Sequence, residues 1–109
     1  MSVRQLTPTK LLKRLDSAAE DPLLLLDIRE PSERTHCLIE GSMHIPMQEI
    51  PSRLSELPQD AEIVVYCHHG MRSMQVANFL DQRGYTKVSN LMGGIDAWST
   101  EADPSVRRY

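Results

Sequence analysis

Apolar positions along the chain fall into two kinds of run. In the first, nearly every position is apolar over a short stretch, as in LLLLDI at 23–28 and EIVVY at 62–66. Apolar side chains on both parities suit strands that are covered on both faces. KVSNLM at 87–92 reads as one more strand. In the second kind, apolar positions recur at helical spacing. Leu11, Leu12 and Leu15 follow Thr7 and Pro8, a helix cap and first position, and predict a helix that runs up to a break at Asp21-Pro22. Met74, Val76, Ala77, Phe79 and Leu80 give the segment after EIVVY an apolar helical face that ends before Gly84. Shorter signals fill the gaps. MHIPM at 43–47 predicts an extended piece stopped by Pro46, and IPSRLSEL at 50–57 a short helix before Pro58. GGIDAW at 93–98 opens a short helix whose start is loosened by Gly93 and Gly94, and EADPSVRRY at 101–109 reads as a frayed tail.

Strands that alternate with helices over this length imply an α/β fold with a parallel sheet and helices on both faces, because parallel neighbours need crossovers. In such sheets ligands bind beyond the carboxyl ends of the strands. There is no internal repeat, low-complexity tract or glycine- or serine-rich linker, so residues 1–109 are expected to form a single domain with its core at about 20–100. A chain of 109 residues supports one core and is too short for two. A net charge of -3 with scattered basic residues argues against the dense positive stripe that nucleic acid or anionic lipid requires. The start, MSVRQLTPTK, lacks the apolar core of a secretory signal, and the LLLL run is too short to cross a bilayer. A cytoplasmic protein is therefore expected, with Cys37 and Cys67 kept as thiols.

VVYCHHGMRS at 64–73 places Cys67 where a strand passes into a helix. A loop of this kind turns backbone N–H groups inward, and the helix dipole adds partial positive charge at the same end. Thiolate is an anion that such a site favours, and helix N-termini lower a thiol's pKa, so Cys67 is expected to be unusually nucleophilic. Gly70 supplies the backbone freedom of a tight cradle, and Ser73 is a candidate cap for the helix that follows. Arg72 is always charged and is expected to neutralise an incoming oxyanion. His68 and His69 act in that way only when protonated; they read either as solvated loop residues or as participants. Met71 lies within the loop and is placed to shape access to the sulfur.

The stretch resembles the active-site loop of rhodanese-like sulfurtransferases in their single-domain form. LLLLDIREPSE resembles the family's first signature, an Asp-x-Arg followed by a glutamate; EGSMHIPM resembles the second, and LMGGIDAW the closing Gly-Gly-x-x-x-Trp. The resemblance implies a five-stranded parallel sheet flanked by helices, and a cysteine that carries sulfur as a persulfide. Two departures lie away from the loop. Cys37-Leu38-Ile39 and Glu40-Gly41 stand where the family usually reads Gly-His-Ile and Pro-Gly, and Arg34 replaces the usual aromatic after Glu33.

The chemistry this implies is that of a thiosulfate sulfurtransferase: the Cys67 thiolate takes the outer sulfur of a donor such as thiosulfate, and a thiol, a protein or cyanide removes it. Asp27, at the end of its strand, either buttresses the loop or pairs with Arg72, and Arg29 with Glu33 forms a local ion pair, or these charges only stabilise the fold. Two rival readings stand beside this one. Cysteine-based phosphatases and arsenate reductases usually carry arginine sixth after the cysteine, whereas Arg72 is fifth. A non-catalytic binding module would leave the thiol incidental. Cys37 either resolves the persulfide or packs near a helix end. His36, Cys37, His44, His68 and His69 lack the paired spacings of a zinc site, and no metal or other cofactor is expected. Met43, Met47, Met71, Met74 and Met92 read as core or pocket lining. A monomer is the plain expectation, without nucleic-acid or membrane partners.

Overall fold

The computed structural model describes residues 3–16 and 23–109. Within them, five parallel strands form one sheet in the order β1-β5-β4-β2-β3. These are β1 at Arg4–Leu6, β2 at Leu23–Asp27, β3 at Met43–His44, β4 at Glu62–Tyr66 and β5 at Val88–Leu91. The α-helices are α1 at Pro8–Asp16, α2 at Pro31–Arg34, α3 at Met71–Gln82 and α4 at Gly94–Glu101, with 3-10 turns at Met47–Glu49 and Pro51–Glu56.

The central strand shows why the apolar runs lack a polar face. Ile63 and Val65 of β4 pack into one buried cluster with Val76, Ala77 and Leu80 of α3. Val64 and Tyr66 point the other way, into a second cluster with Leu11 of α1 and Ile95 and Trp98 of α4. Successive strand side chains alternate between faces, so a sheet covered on both sides needs apolar residues at every position. Fully burying one such aliphatic side chain contributes about 1.5–3 kcal/mol. Most of the sheet's stability therefore resides in β4 and its neighbours rather than at the edges.

Where the structure departs from the sequence pattern, short elements held by long-range partners are the reason. β1 had no apolar run to mark it: Arg4 and Gln5 are exposed, and pairing with β5 is what makes it a strand. α2 forms within the charged REPSE stretch, with Pro31 at its first position and the Glu30 N–H donating to Glu33 Oε1 at 3.0 Å. The extended piece before Pro46 is two residues long, and the helix expected at 50–57 is a 3-10 turn. The helix break expected at Asp21-Pro22 lies outside the described residues.

The tail at 101–109 does not fray. The N–H groups of Ala102 and Asp103 both donate to the Trp98 carbonyl at 2.9 Å. Val106 and Tyr109 then pack against the cluster beneath α1 and α4, and Arg108 pairs with Asp96. Three apolar side chains of this polar segment, Ala102, Val106 and Tyr109, pack against that cluster and fold the segment back.

Because all five strands are parallel, their carboxyl ends lie on one side, and α4 docks there. The Ile95 and Asp96 N–H groups donate to the carbonyls of Cys67 and His68 at 2.9 and 3.1 Å. The approach requires Gly94, whose φ is +64° and whose position leaves no room for a Cβ beside those two carbonyl oxygens. Gly94→Ala should therefore lower stability by at least about 2 kcal/mol, from left-handed strain and overlap together. Urea denaturation of the variant measures this; an unchanged midpoint would show that α4 is not held against the loop in this way.

Candidate active site

The alternation of β4 continues one residue past the strand, so Cys67 follows Ile63 and Val65 onto the α3 face. The residue is 2% exposed, and its sulfur sits at the N-terminus of α3. There Sγ accepts from the N–H of Gly70 at 3.1 Å, the N–H of Ser73 at 3.4 Å and the Ser73 hydroxyl at 3.3 Å. The first amides of a helix have no partner within it, and the macrodipole places partial positive charge at that end. The sulfur occupies the position that this field and these donors suit.

The rest of the loop is aimed by its carbonyls. C=O and N–H point to opposite sides of a planar trans peptide. With the Cys67 and His68 carbonyls bonded to α4, the N–H groups of His68 and His69 face away from it. The Gly70 carbonyl accepts from Asn90 Nδ2 at 3.2 Å, which likewise turns the Met71 N–H away from Asn90. Gly70 itself is the left-handed residue before α3, with φ at +106°. Ser73 does not cap the helix as expected. It lies inside the first turn, and its one hydroxyl proton faces both Cys67 Sγ and Asn90 Oδ1. Asn90 was missed by the sequence reading. Its signal was a polar side chain in the buried strand VSNL, and it also donates to Gln5 Oε1 at 3.0 Å.

The charges pair differently from expectation. Arg72 donates through both terminal nitrogens to the two oxygens of Glu33, at 2.7 and 2.8 Å. Asp27 bonds Arg29 twice at 2.9 Å, both side chains being fully buried, and bonds Arg34 at 2.9 Å. Arg29 thus meets Asp27 rather than the Glu33 carboxylate, and Asp27 does not pair with Arg72. Partner choice follows the fold: Asp27 ends β2 beneath Arg29, whereas α2 lifts Glu33 toward the cysteine loop.

These pairings set the acidities. Arg72's bonds hold the Glu33 carboxyl down to about 2, against the opposing effect of burial, and a hydrogen bond donated by Tyr109 assists. Burial works to raise the Asp27 carboxyl, but bonds from the Arg29 side chain and main chain outweigh it and leave Asp27 below the ordinary range. The bonds to Glu33 raise Arg72 against the opposing effect of burial, and the nearness of Cys67 adds a smaller contribution. Burial, followed by repulsion from His69, pushes the His68 imidazole down.

Tyr109 closes one side of the site and was invisible in the sequence because it lies beyond every periodic segment. Its hydroxyl donates to Glu33 Oε2 at 2.7 Å and accepts from Arg29 at 3.0 Å. Its ring stacks on His68 at 3.9 Å, and His68 in turn stacks on His69 at 4.0 Å. The two histidines therefore form a wall of rings beside the loop. Met71 is 80% exposed on the rim and Met92 46%, so neither lies in the core, whereas half-buried Met43 and Met47 pack against the α3-side core cluster as expected and Met74 is half-buried. Cys37 is a half-buried free thiol packed against the α1 and α4 side, with its sulfur 3.9 Å from an Arg29 nitrogen.

Comparison with known proteins gives the family and the fold. The family described as Rhodanese-like domain matches residues 7–101. A protein named sulfurtransferase from Allochromatium vinosum is 41% identical over 104 residues, covering 95% of each chain. The thiosulfate sulfurtransferase GlpE of Haemophilus influenzae is 32% identical over 99 residues and 90% of each chain. The crystal structure of a rhodanese-related protein from Thermoplasma volcanium superposes with a TM-score of 0.82 at 30% identity, over 97% of this chain and 99% of that one.

The pairing of Glu33 makes stability depend on pH. A carboxylate whose folded pKa is depressed stabilises the fold above its unfolded pKa and loses that contribution as pH falls toward the folded value. For Glu33 the window runs from 4.5 down to about 2. Urea denaturation over that range should show wild type losing stability more steeply than Glu33→Gln. Parallel curves would mean that the Arg72 pair contributes nothing.

Proposed function

The chain belongs to the rhodanese-like domain family, among relatives named as sulfurtransferases, and from that membership we propose that it transfers sulfane sulfur through a persulfide on Cys67. The observation that carries this reading is the donation to Cys67 Sγ from the Gly70 and Ser73 amides, with the Ser73 hydroxyl shared between the sulfur and Asn90. Donors fixed beforehand by the fold stabilise negative sulfur without reorganising during the reaction.

The reaction has two halves. In the first, the Cys67 thiolate attacks the outer sulfur of thiosulfate. A new S–S bond forms to Cys67, the S–S bond of thiosulfate breaks, and its electron pair leaves on sulfite. In the second, cyanide or a thiolate attacks the outer sulfur of the persulfide, and Cys67 departs as thiolate. Negative charge rests on sulfur before and after each transfer, which is the charge that the α3 N-terminus favours. Similarity to a thiosulfate sulfurtransferase supports thiosulfate as donor.

Arg72 serves this site through its charge more than through free donors, because both terminal nitrogens are engaged by Glu33. Asp27 and Arg29 act at a distance: they brace the base of α2, from which Glu33 reaches Arg72. His68, His69 and the exposed Met71 form the rim that donor and acceptor meet first.

Cys67→Ser should abolish sulfur transfer from thiosulfate to cyanide while keeping the circular dichroism and denaturation midpoint of the wild type. Full turnover by that variant would exclude Cys67 as the sulfur carrier.

A further inference from the structure

One cluster at the lip of the loop takes no covalent part in sulfur transfer. His68, His69 and Asp96 bring three ligand-type atoms within 4.8 Å of one another. Both elements that supply them are fixed to each other: the Asp96 N–H of α4 holds the His68 carbonyl at 3.1 Å, so the bond that shapes the cysteine loop also sets the frame of this cluster. Spacing along the chain hides the cluster, because its third group is a carboxylate delivered by a distant helix and not a histidine or cysteine in a paired ligand spacing.

Three features suit the cluster to a cation. His69 Nε2 lies 3.8 Å from Asp96 Oδ2. Around a tetrahedral zinc-class ion, with bonds of about 2.0–2.2 Å, neighbouring donors stand roughly 3.3 Å apart. The closure needed between these two atoms is small, and His69 is 64% exposed, so its ring has room to turn if it gives up part of its stack on His68. Second, His68 Nε2 is buried without a hydrogen-bond partner, which is unfavourable for an imidazole nitrogen unless something else engages it. Third, the present partner of the carboxylate is displaceable at a cost: Arg108 bonds both Asp96 oxygens at 2.8 and 3.2 Å, a two-point pair that an ion would have to replace, and its 62% exposed side chain has solvent to move into.

We propose that His68, His69 and Asp96 form a binding site for a divalent transition-metal ion of the zinc class, beside the cysteine loop and independent of its thiol. Two imidazoles and one carboxylate favour such an ion over magnesium or calcium, which prefer oxygen donors throughout. With three protein ligands, the fourth position belongs to water. The ion would sit against the rim that approaching donors and acceptors cross.

Calorimetric titration of the full chain with zinc chloride tests this, using the wild type, Cys67→Ser, His69→Ala and Asp96→Asn. Cys67→Ser removes the thiolate as a rival ligand, and circular dichroism checks that each variant is folded. The expected result is one ion per chain with equal affinity in wild type and Cys67→Ser, and affinity at least about tenfold weaker in His69→Ala and Asp96→Asn. If Asp96→Asn does not fold, the exposed His69→Ala decides alone. Equal affinity in wild type and His69→Ala would overturn the proposal, as would binding lost in Cys67→Ser but retained in His69→Ala. The readout does not involve sulfur transfer, so the site stands or falls separately from the proposed reaction.

Discussion

Two hydrogen bonds, from the Ile95 and Asp96 amides to the carbonyls of Cys67 and His68, are the constraint on which the site depends. They bind the start of α4 to the loop after β4 and thereby decide which way the loop's peptides face. With the carbonyls committed to α4, the following N–H groups turn from it, and the N-terminus of α3 completes the cradle around the sulfur. The sulfur is 2% exposed, and the negative charge that the proposed reaction would place on it needs such compensation, since an unpaired buried charge is among the most costly features a fold can hold.

A second layer of support is electrostatic and centres on one carboxylate. Glu33 joins three parts of the chain: it stands on α2, takes both terminal nitrogens of Arg72 from α3, and accepts the Tyr109 hydroxyl from the end of the chain. Arg29 connects this group to Asp27 below and to Tyr109 above. Removing one partner of such a network leaves the others underused, so the effects of single substitutions here are not expected to add. The stacked rings of Tyr109, His68 and His69 extend the same assembly to the surface, where Asp96 and Arg108 meet it.

Much of this was legible in the chain, and the boundary between legible and hidden has a physical basis. β2, β4 and α3 could be read because burial on two faces, or on one helical face, writes a periodic pattern into local sequence. The position of Cys67 was readable for the same reason, since a strand and a helix bracket it. β1 and α2 were hidden because pairing with β5 and a local Glu30 to Glu33 bond, not periodicity, create them. The partners of Arg72 and Asp27 were hidden because charge pairing across the sheet end is decided by tertiary proximity, and Arg29 and Glu33 offered the wrong local pairing. Tyr109 was hidden most completely: nothing in EADPSVRRY announces that its last ring returns to the site.

The most direct measurement is mass spectrometry of the wild-type protein after incubation with thiosulfate, with peptide mapping under non-reducing conditions. The account predicts one added sulfur on the peptide that carries Cys67 and none on the peptide that carries Cys37, with the addition removed by cyanide. Sulfur found on Cys37 alone, or no addition at all with thiosulfate or a persulfide donor, would contradict it.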